Sequence, residues 1–249
     1  MKSISSVQNE EIKSVAQLAD SKERKCQQRF IVEGIRAITT FIEAGHRPLQ
    51  LYVTYEKSSE AQNLVDDSVI TTVTHPVLKR ISQATTPSGL LAVFGIPQQS
   101  SLQLEPGLVL ARIADPGNMG TLIRTSVALG RKTVVVIEGA DVWSPKVIQA
   151  SAGTIAKADV ITCSWQEVIR LKQSLTLVGL VVQGGEGPST HNLTDALLVV
   201  GNEASGIPEE WLADCDSLLT LPMPGGTESL NAAVAGSIAL YAAWQTSNH

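Results

Sequence analysis

The chain has 249 residues, 43% of them hydrophobic and 17% charged, with a formal net charge of −5. That length suffices for one large core or two small ones, and the acidic balance excludes a protein that grips nucleic acid over its whole surface. No apolar run approaches the ~20 residues of a membrane span, and the opening Met1-Lys-Ser-Ile-Ser-Ser-Val-Gln-Asn-Glu10 lacks the apolar core of a secretory signal.

In chain order, residues 9–27 predict a polar helix, with Ile12, Val15, Ala16, Leu18 and Ala19 at helical spacing. A strand at Phe30–Val32 leads to a helix from Gly34 to Ala44, stopped by Gly45. Strands follow at Leu49–Val53, Val69–Val73 and Gly89–Phe94, separated by helices near Glu56–Leu64 and at His75–Ile81, where Pro76 suits a first turn. The Ser/Gln-rich, proline-bounded stretch after Pro97 has no periodicity and reads as a linker. The expected organisation is therefore a first domain at residues 1–98, a linker at 99–106 and a second domain at 107–249.

The second domain alternates more regularly. Strands are expected at Leu108–Ile113, Thr133–Ile137, Val160–Cys163, Thr176–Val182, Ala196–Gly201 and Ser217–Leu221. Helices are expected near Met119–Leu129, Pro145–Ser151, Gln166–Lys172, Pro208–Ala213 and Leu230–Trp244. Runs such as Val134–Ile137 and Leu197–Val200 are continuously apolar, which means burial on both faces and a mainly parallel sheet flanked by helices. The last helix is apolar nearly all round, so it is expected to be buried all round, in a subunit interface or within one subunit.

Cys26, Cys163 and Cys215 are odd in number and far apart; they fit a reducing compartment and three small buried hydrophobes. His46, His75, His191 and His249 lack metal-site spacing, so no metal is expected. There is no Gly-x-Gly-x-x-Gly at a first βα unit and no Walker loop. A local excess of cations, Lys22, Arg24, Lys25 and Arg29 among them, makes a candidate phosphate-binding patch or a merely solvated helix face.

Three stretches sit where strands give way to helices, the place where α/β sheets bind ligands. The first is Asp115-Pro-Gly-Asn118-Met-Gly-Thr-Leu-Ile-Arg124, the second Gly201-Asn-Glu203-Ala-Ser-Gly206, the third Leu221-Pro-Met-Pro-Gly-Gly-Thr-Glu-Ser229-Leu-Asn231. Singly, Asn118, Ser229 and Asn231 are equally good helix caps and Glu203 a cap for local N–H groups. Arg124, set among apolar positions, is expected to pair with a phosphate or carboxylate.

Jointly, in order and spacing, the stretches resemble the three motifs of the SpoU (TrmH-like) RNA ribose methyltransferases of the SPOUT superfamily. Phe30-Ile-Val-Glu-Gly34 and Thr86-Pro-Ser-Gly89 are similar to landmarks of that family's substrate-binding domain. The resemblance implies a trefoil-knotted α/β domain that binds S-adenosylmethionine (AdoMet), preceded by a small α/β RNA-binding domain. It implies methyl transfer to a ribose 2′-hydroxyl of structured RNA, rRNA or tRNA, by a cytoplasmic homodimer with catalytic residues from both subunits near one site. By position, Val182, Gly184, Gly201, Leu221 and Leu230 match cofactor-binding residues, and Arg124, Asn118, Glu203, Ser229 and Asn231 match catalytic ones. Ala232-Ala233 depart from a pair that is often Val-Ser in the family. Two alternatives stay open: an RNA-binding relative without activity, and a methyltransferase acting on a base.

Overall fold

The computed structural model describes residues 2–98 and 103–247. The chain forms two compact units: Met1–Gln98 with Trp143–Ala156, and Gln99–Val142 with Lys157–His249. Residues 99–102 of the expected linker lie outside the described residues.

In the first unit the elements are β1 (Lys2–Ile4), α1 (Glu10–Gln17), α2 (Ser21–Gln27), β2 (Arg29–Glu33), α3 (Ile35–Glu43), β3 (Gln50–Thr54), α4 (Ser58–Gln62), β4 (Ile70–Val73), α5 (His75–Ile81) and β5 (Leu90–Gly95). The sheet order is β1-β4-β3-β5-β2, with β1, β4 and β3 parallel and β5 antiparallel to both its neighbours. Strand β1 carries no strand signal of its own and exists because it pairs with β4. The single helix expected over residues 9–27 is two, because the Asp20 carboxylate accepts from the Lys22 N–H at 2.7 Å and starts a second helix. Phe30, Phe41 and Phe94 pack at centroid distances of 5.1–5.9 Å and are fully buried or nearly so.

In the second unit the elements are β6 (Gly107–Ala111), α6 (Pro116–Ala128), β7 (Thr133–Ile137), α7 (Pro145–Ala150), β8 (Asp159–Thr162), α8 (Trp165–Leu171), β9 (Thr176–Leu180), β10 (Ala196–Gly201), α9 (Glu209–Leu212), β11 (Ser217–Leu219) and α10 (Ala232–Ser247). Helix α7 is the exception to that grouping. It belongs with the first unit, where Trp143 lies 4.8 Å from Phe30 and His46 Nε2 lies 2.9 Å from the Ala156 carbonyl. A division at the linker alone is thus too simple, because an apolar surface turn buries itself wherever a partner surface is found.

All six strands of the second sheet are parallel, in the order β11-β9-β10-β6-β7-β8. The chain lays down β6, β7 and β8 outward, crosses back to β9, and then inserts β10 between β9 and β6. Strand order reverses between β6 and β10, whose carboxyl ends, Ala111 and Gly201, are in register. Crevices at such reversals are where open α/β sheets take ligands. The buried Arg131 donates to the carbonyls of Leu193 at 2.6 Å and Ala196 at 3.0 Å, which fixes the entry to β10.

Within a single chain helix α10 is buried on one side only. Ala233, Ala239, Leu240 and Ala243 face inward, while Val234, Ile238, Tyr241 and Trp244 keep 40–50% of their surface exposed. Gly236 lets it approach the sheet: a Cβ there would lie 2.4 Å from Leu122 Cδ2 and 3.1 Å from Val200 Cγ2.

Candidate active site

The site grows from the carboxyl ends of β6 and β10. After β6 the chain turns at Ala114, and the Asp115 carboxylate accepts from the Asn118 N–H at 2.8 Å, capping α6. Asp115, not Asn118, is therefore the cap, and the Asn118 amide is released for other partners. Its Nδ2 donates to Glu203 Oε1 at 2.9 Å, and its Oδ1 accepts from Asn231 Nδ2 at 3.0 Å. Asn231 in turn accepts from the Ala233 N–H at 2.9 Å and caps α10. One residue from each of the three motif stretches thus forms a continuous chain of hydrogen bonds.

Glu203 anchors that chain. It also accepts from the N–H groups of Ala114 and Asp115, both at 3.3 Å. Partial burial works against its charge, but the Asn118 amide and the backbone N–H groups outweigh that cost and hold the carboxyl below its usual range. Glu203 is thus an ionised acceptor that orders the start of α6, and it is poorly suited to take up a proton at neutral pH.

Beside it lies a cavity of ≈ 270 Å³. Its walls come from three separate segments: Leu180–Val182 after β9, Val200–Gly206 at the end of β10, and Leu221 through Ala235 after β11. Gly201 is required where it stands, because a Cβ would sit 2.3 Å from the Gly206 carbonyl carbon. Apolar side chains and strand-end backbone dominate, as is usual for a small-molecule cleft. Of the expected cofactor residues, Val182, Gly201, Leu221 and Leu230 line the cavity; Gly184, in the left-handed region at φ 83°, does not.

The expected catalytic residues separate into two groups. Glu203 and Ser229 line the cavity, and Asn118 and Asn231 are bonded to one another next to it. Arg124 is outside the lining; it is exposed on α6 and has no hydrogen bond or ion pair among the described residues. The expected pairing of Arg124 is therefore not made within one chain, because its side chain leaves the apolar face of α6.

Among the expected RNA contacts, Lys22, Lys25 and Arg29 are exposed, but Arg24 is only 3% exposed. Its Nη1 donates to the carbonyls of Leu18 at 2.7 Å and Ala19 at 2.9 Å, so it closes the turn between α1 and α2. Its guanidinium is spent on the fold, which removes Arg24 from the phosphate patch. Cys26 is exposed rather than buried, whereas Cys163 and Cys215 pack against the core, and burial pushes both thiols up to about 11. No group of His, Cys, Asp and Glu among the described residues could hold a metal ion, and no described helix is long and apolar enough to cross a membrane.

Residue-by-residue reading misses Asn202. Its Oδ1 accepts from Ala204 N–H at 2.9 Å and Ser205 N–H at 3.1 Å, and its Nδ2 donates to the Arg112 carbonyl at 2.9 Å. The signal for it is Asn directly after a strand and four residues before a glycine, a side-chain-closed turn.

The profile of the SpoU rRNA methylase family matches residues 106–241, and that of the MRM3-like substrate binding domain matches residues 9–92. The 23S rRNA (guanosine(2553)-2′-O)-methyltransferase of Bacillus subtilis is 27% identical over 97% of this chain and 98% of its own. The 23S rRNA (uridine(2479)-2′-O)-methyltransferase of Streptomyces viridochromogenes is 28% identical over 92% and 86%. A crystal structure of an RNA 2′-O ribose methyltransferase superposes with a TM-score of 0.83 at 29% identity, covering 99% of this chain and 100% of that one. The SpoU methyltransferase AviRb from Streptomyces viridochromogenes in complex with AdoMet gives 0.85 at 25% identity, covering 96% and 98%.

Proposed function

The chain belongs to the SpoU rRNA methylase family, and from that premise we propose that it methylates a ribose 2′-hydroxyl of rRNA, using AdoMet, through a site completed by a second copy. The carrying observation is the Glu203–Asn118–Asn231 hydrogen-bond chain beside a cavity walled by all three strand ends. The cavity fits AdoMet: Val182, Gly201, Leu221 and Leu230 would hold it, mostly through apolar contact and backbone. When bound, AdoMet supplies a sulfonium-activated methyl group.

The residues of this chain do the rest. A 2′-hydroxyl is a weak nucleophile until its proton is lost or its developing negative charge is stabilised. Glu203, held ionised by its donors, organises the α6 start instead of acting as base. Arg124 acts electrostatically, on the developing alkoxide or a neighbouring phosphate, while the hydroxyl proton passes to solvent. Ser229, exposed in the cavity wall and without a hydrogen bond among the described residues, is free to contact substrate.

Support for a homodimer comes from the apolar stripe Val234, Ile238, Tyr241 and Trp244 on α10. Arg124 stands on the helix that packs beside α10, with Thr125 Oγ1 3.0 Å from Ser237 Oγ. In this proposal a second copy seated on the stripe brings its own surface near α6, and the Arg124 guanidinium works across that interface. The trefoil knot is part of the proposal and is supported by membership of the family. Residues 1–98 serve as the RNA-binding domain, gripping through Lys22, Lys25 and Arg29, and residues 107–249 as the transferase domain, apart from the Trp143–Ala156 segment that packs with the first unit. A cytoplasmic location is part of the proposal and is supported by the bacterial 23S rRNA methyltransferases among the relatives, although others among them are mitochondrial.

The test is transfer of labelled methyl from AdoMet to total rRNA, followed by nucleoside analysis. A 2′-O-methylated nucleoside is the expected product. A base-methylated nucleoside, or no transfer by folded protein that binds AdoMet, would refute the reading.

A further inference from the structure

Two non-glycine residues in the second unit hold a left-handed backbone directly after adjacent strands: Arg112 at φ 60° after β6 and Glu138 at φ 57° after β7. Such residues are uncommon and persist only where surrounding contacts over-determine them. Here the contacts are specific. Arg112 Nε donates to Glu138 Oε2 at 2.7 Å, and the Arg112 guanidinium lies 4.7 Å from the centroid of the Trp211 ring. Trp211 stacks on Trp165 at 5.0 Å with an interplanar angle of 6°, and Trp165 Nε1 donates to Asp214 at 2.8 Å. The Arg112 N–H donates to the Ile137 carbonyl at 2.9 Å.

The remaining backbone group of Arg112 faces the active site. Its carbonyl accepts Asn202 Nδ2 at 2.9 Å. The Asn202 Oδ1 accepts from the N–H groups of Ala204 and Ser205, and Nδ2 lies 3.4 Å from Glu203 Oε2, so the shorter bond to the Arg112 carbonyl is one of the contacts that orient the amide. Asn202 and Gly206 close the turn by mutual backbone bonds at 2.9 and 3.0 Å, and Asn202, Glu203, Ala204 and Gly206 are cavity wall. A clamp on the side chain of Arg112 therefore sets, through its carbonyl, the shape of one wall of the cleft.

We propose that Arg112 is a positioning residue for the methyl-donor cleft: clamped between Glu138 and Trp211, it presents the carbonyl that locks Asn202 and pre-forms the 202–206 wall for AdoMet. The proposal rests on the AdoMet reading of that cleft. Pre-forming a wall raises affinity by removing an ordering cost at binding, so the effect is on cofactor affinity first. Arg has the planar, delocalised cation that both stacks on an indole and donates to a carboxylate; Lys has not.

The experiment compares parent, Arg112→Gly, Arg112→Lys and Glu138→Gln as full chains. Glycine keeps the left-handed backbone without strain, so Arg112→Gly removes the clamp alone. AdoMet titration by calorimetry should show Kd raised ~10-fold in Arg112→Gly, the scale of one cation–π and ion-pair clamp, and raised less in Arg112→Lys and Glu138→Gln. The KM for AdoMet should rise by more than kcat falls, and indole emission should shift as the guanidinium leaves Trp211. An Arg112→Gly protein with a lowered melting temperature but AdoMet affinity within two-fold of parent would overturn the proposal, as would an effect confined to RNA binding. If Arg112→Gly does not fold, unchanged AdoMet affinity in both Arg112→Lys and Glu138→Gln overturns it equally. A parent protein that does not bind AdoMet would overturn the cleft assignment itself, and this inference with it.

Discussion

Arg124 is exposed and unpaired among the described residues, so it contributes little to the fold of its own chain. Arg124→Ala should leave melting temperature and AdoMet affinity near parental and lower single-turnover methyl transfer by ~100-fold, the scale of a lost electrostatic stabiliser of about 3 kcal/mol. Near-parental transfer by the folded variant would remove it from the mechanism. Glu203 makes a different kind of prediction. Its carboxyl is held below the ordinary value of 4.5, so its bonds to Asn118 and the α6 start are present above that value. They are lost as pH falls through the lower, folded value. The melting-temperature advantage of parent over Glu203→Ala should be constant from neutrality to about pH 5 and shrink below it. An advantage that does not change between pH 7 and pH 3 would show that the charge is irrelevant.

At the scale of elements, α2 and α10 each carry two faces that composition alone does not separate. In α2, Lys22 and Lys25 point out while Arg24 points in to two carbonyls. Arg24→Ala should destabilise the first unit by ~1–3 kcal/mol, the cost of leaving buried acceptors unpaired, as read by urea unfolding. A neutral Arg24→Ala would return that residue to the surface patch. In α10, glycine normally weakens a helix interior by ~1 kcal/mol relative to alanine. Gly236→Ala should nevertheless destabilise by ~1–3 kcal/mol, because the new methyl meets Leu122 and Val200 at 2.4 and 3.1 Å. A gain in stability would mean that those side chains yield freely.

For the whole molecule the stripe on α10 and the cations of α2 and β2 carry the predictions. The parent should run as a dimer at micromolar concentration by light scattering, and Ile238→Asp, on the exposed face, should shift it to monomer without unfolding it. A monomeric parent would refute the proposed assembly. Changing Lys22, Lys25 and Arg29 together to alanine should weaken RNA binding and reduce its log–log salt slope by roughly 2, at ~0.7 per single-strand phosphate contact. An unchanged slope would place the RNA elsewhere.

Local and periodic features were legible in the amino-acid order. Continuous apolar runs such as Val134–Ile137 marked a parallel sheet buried on both faces, and that sheet is present. Gly, Pro and cap residues placed α5 at His75–Ile81 and α7 from Pro145, and the three glycine-bearing stretches marked the strand ends that surround the cavity. Which elements lie beside one another was not legible there. Nothing local says that β10 inserts next to β6, yet that insertion brings Gly201 into register with Ala111 and Glu203 within reach of Asn118. The inward turn of Arg24, the exposed half of α10 and the packing of Trp143 on Phe30 have the same origin. Periodicity reports that a face is apolar or charged; which surface meets it is settled by contacts between residues far apart in the chain, and those leave no local signature.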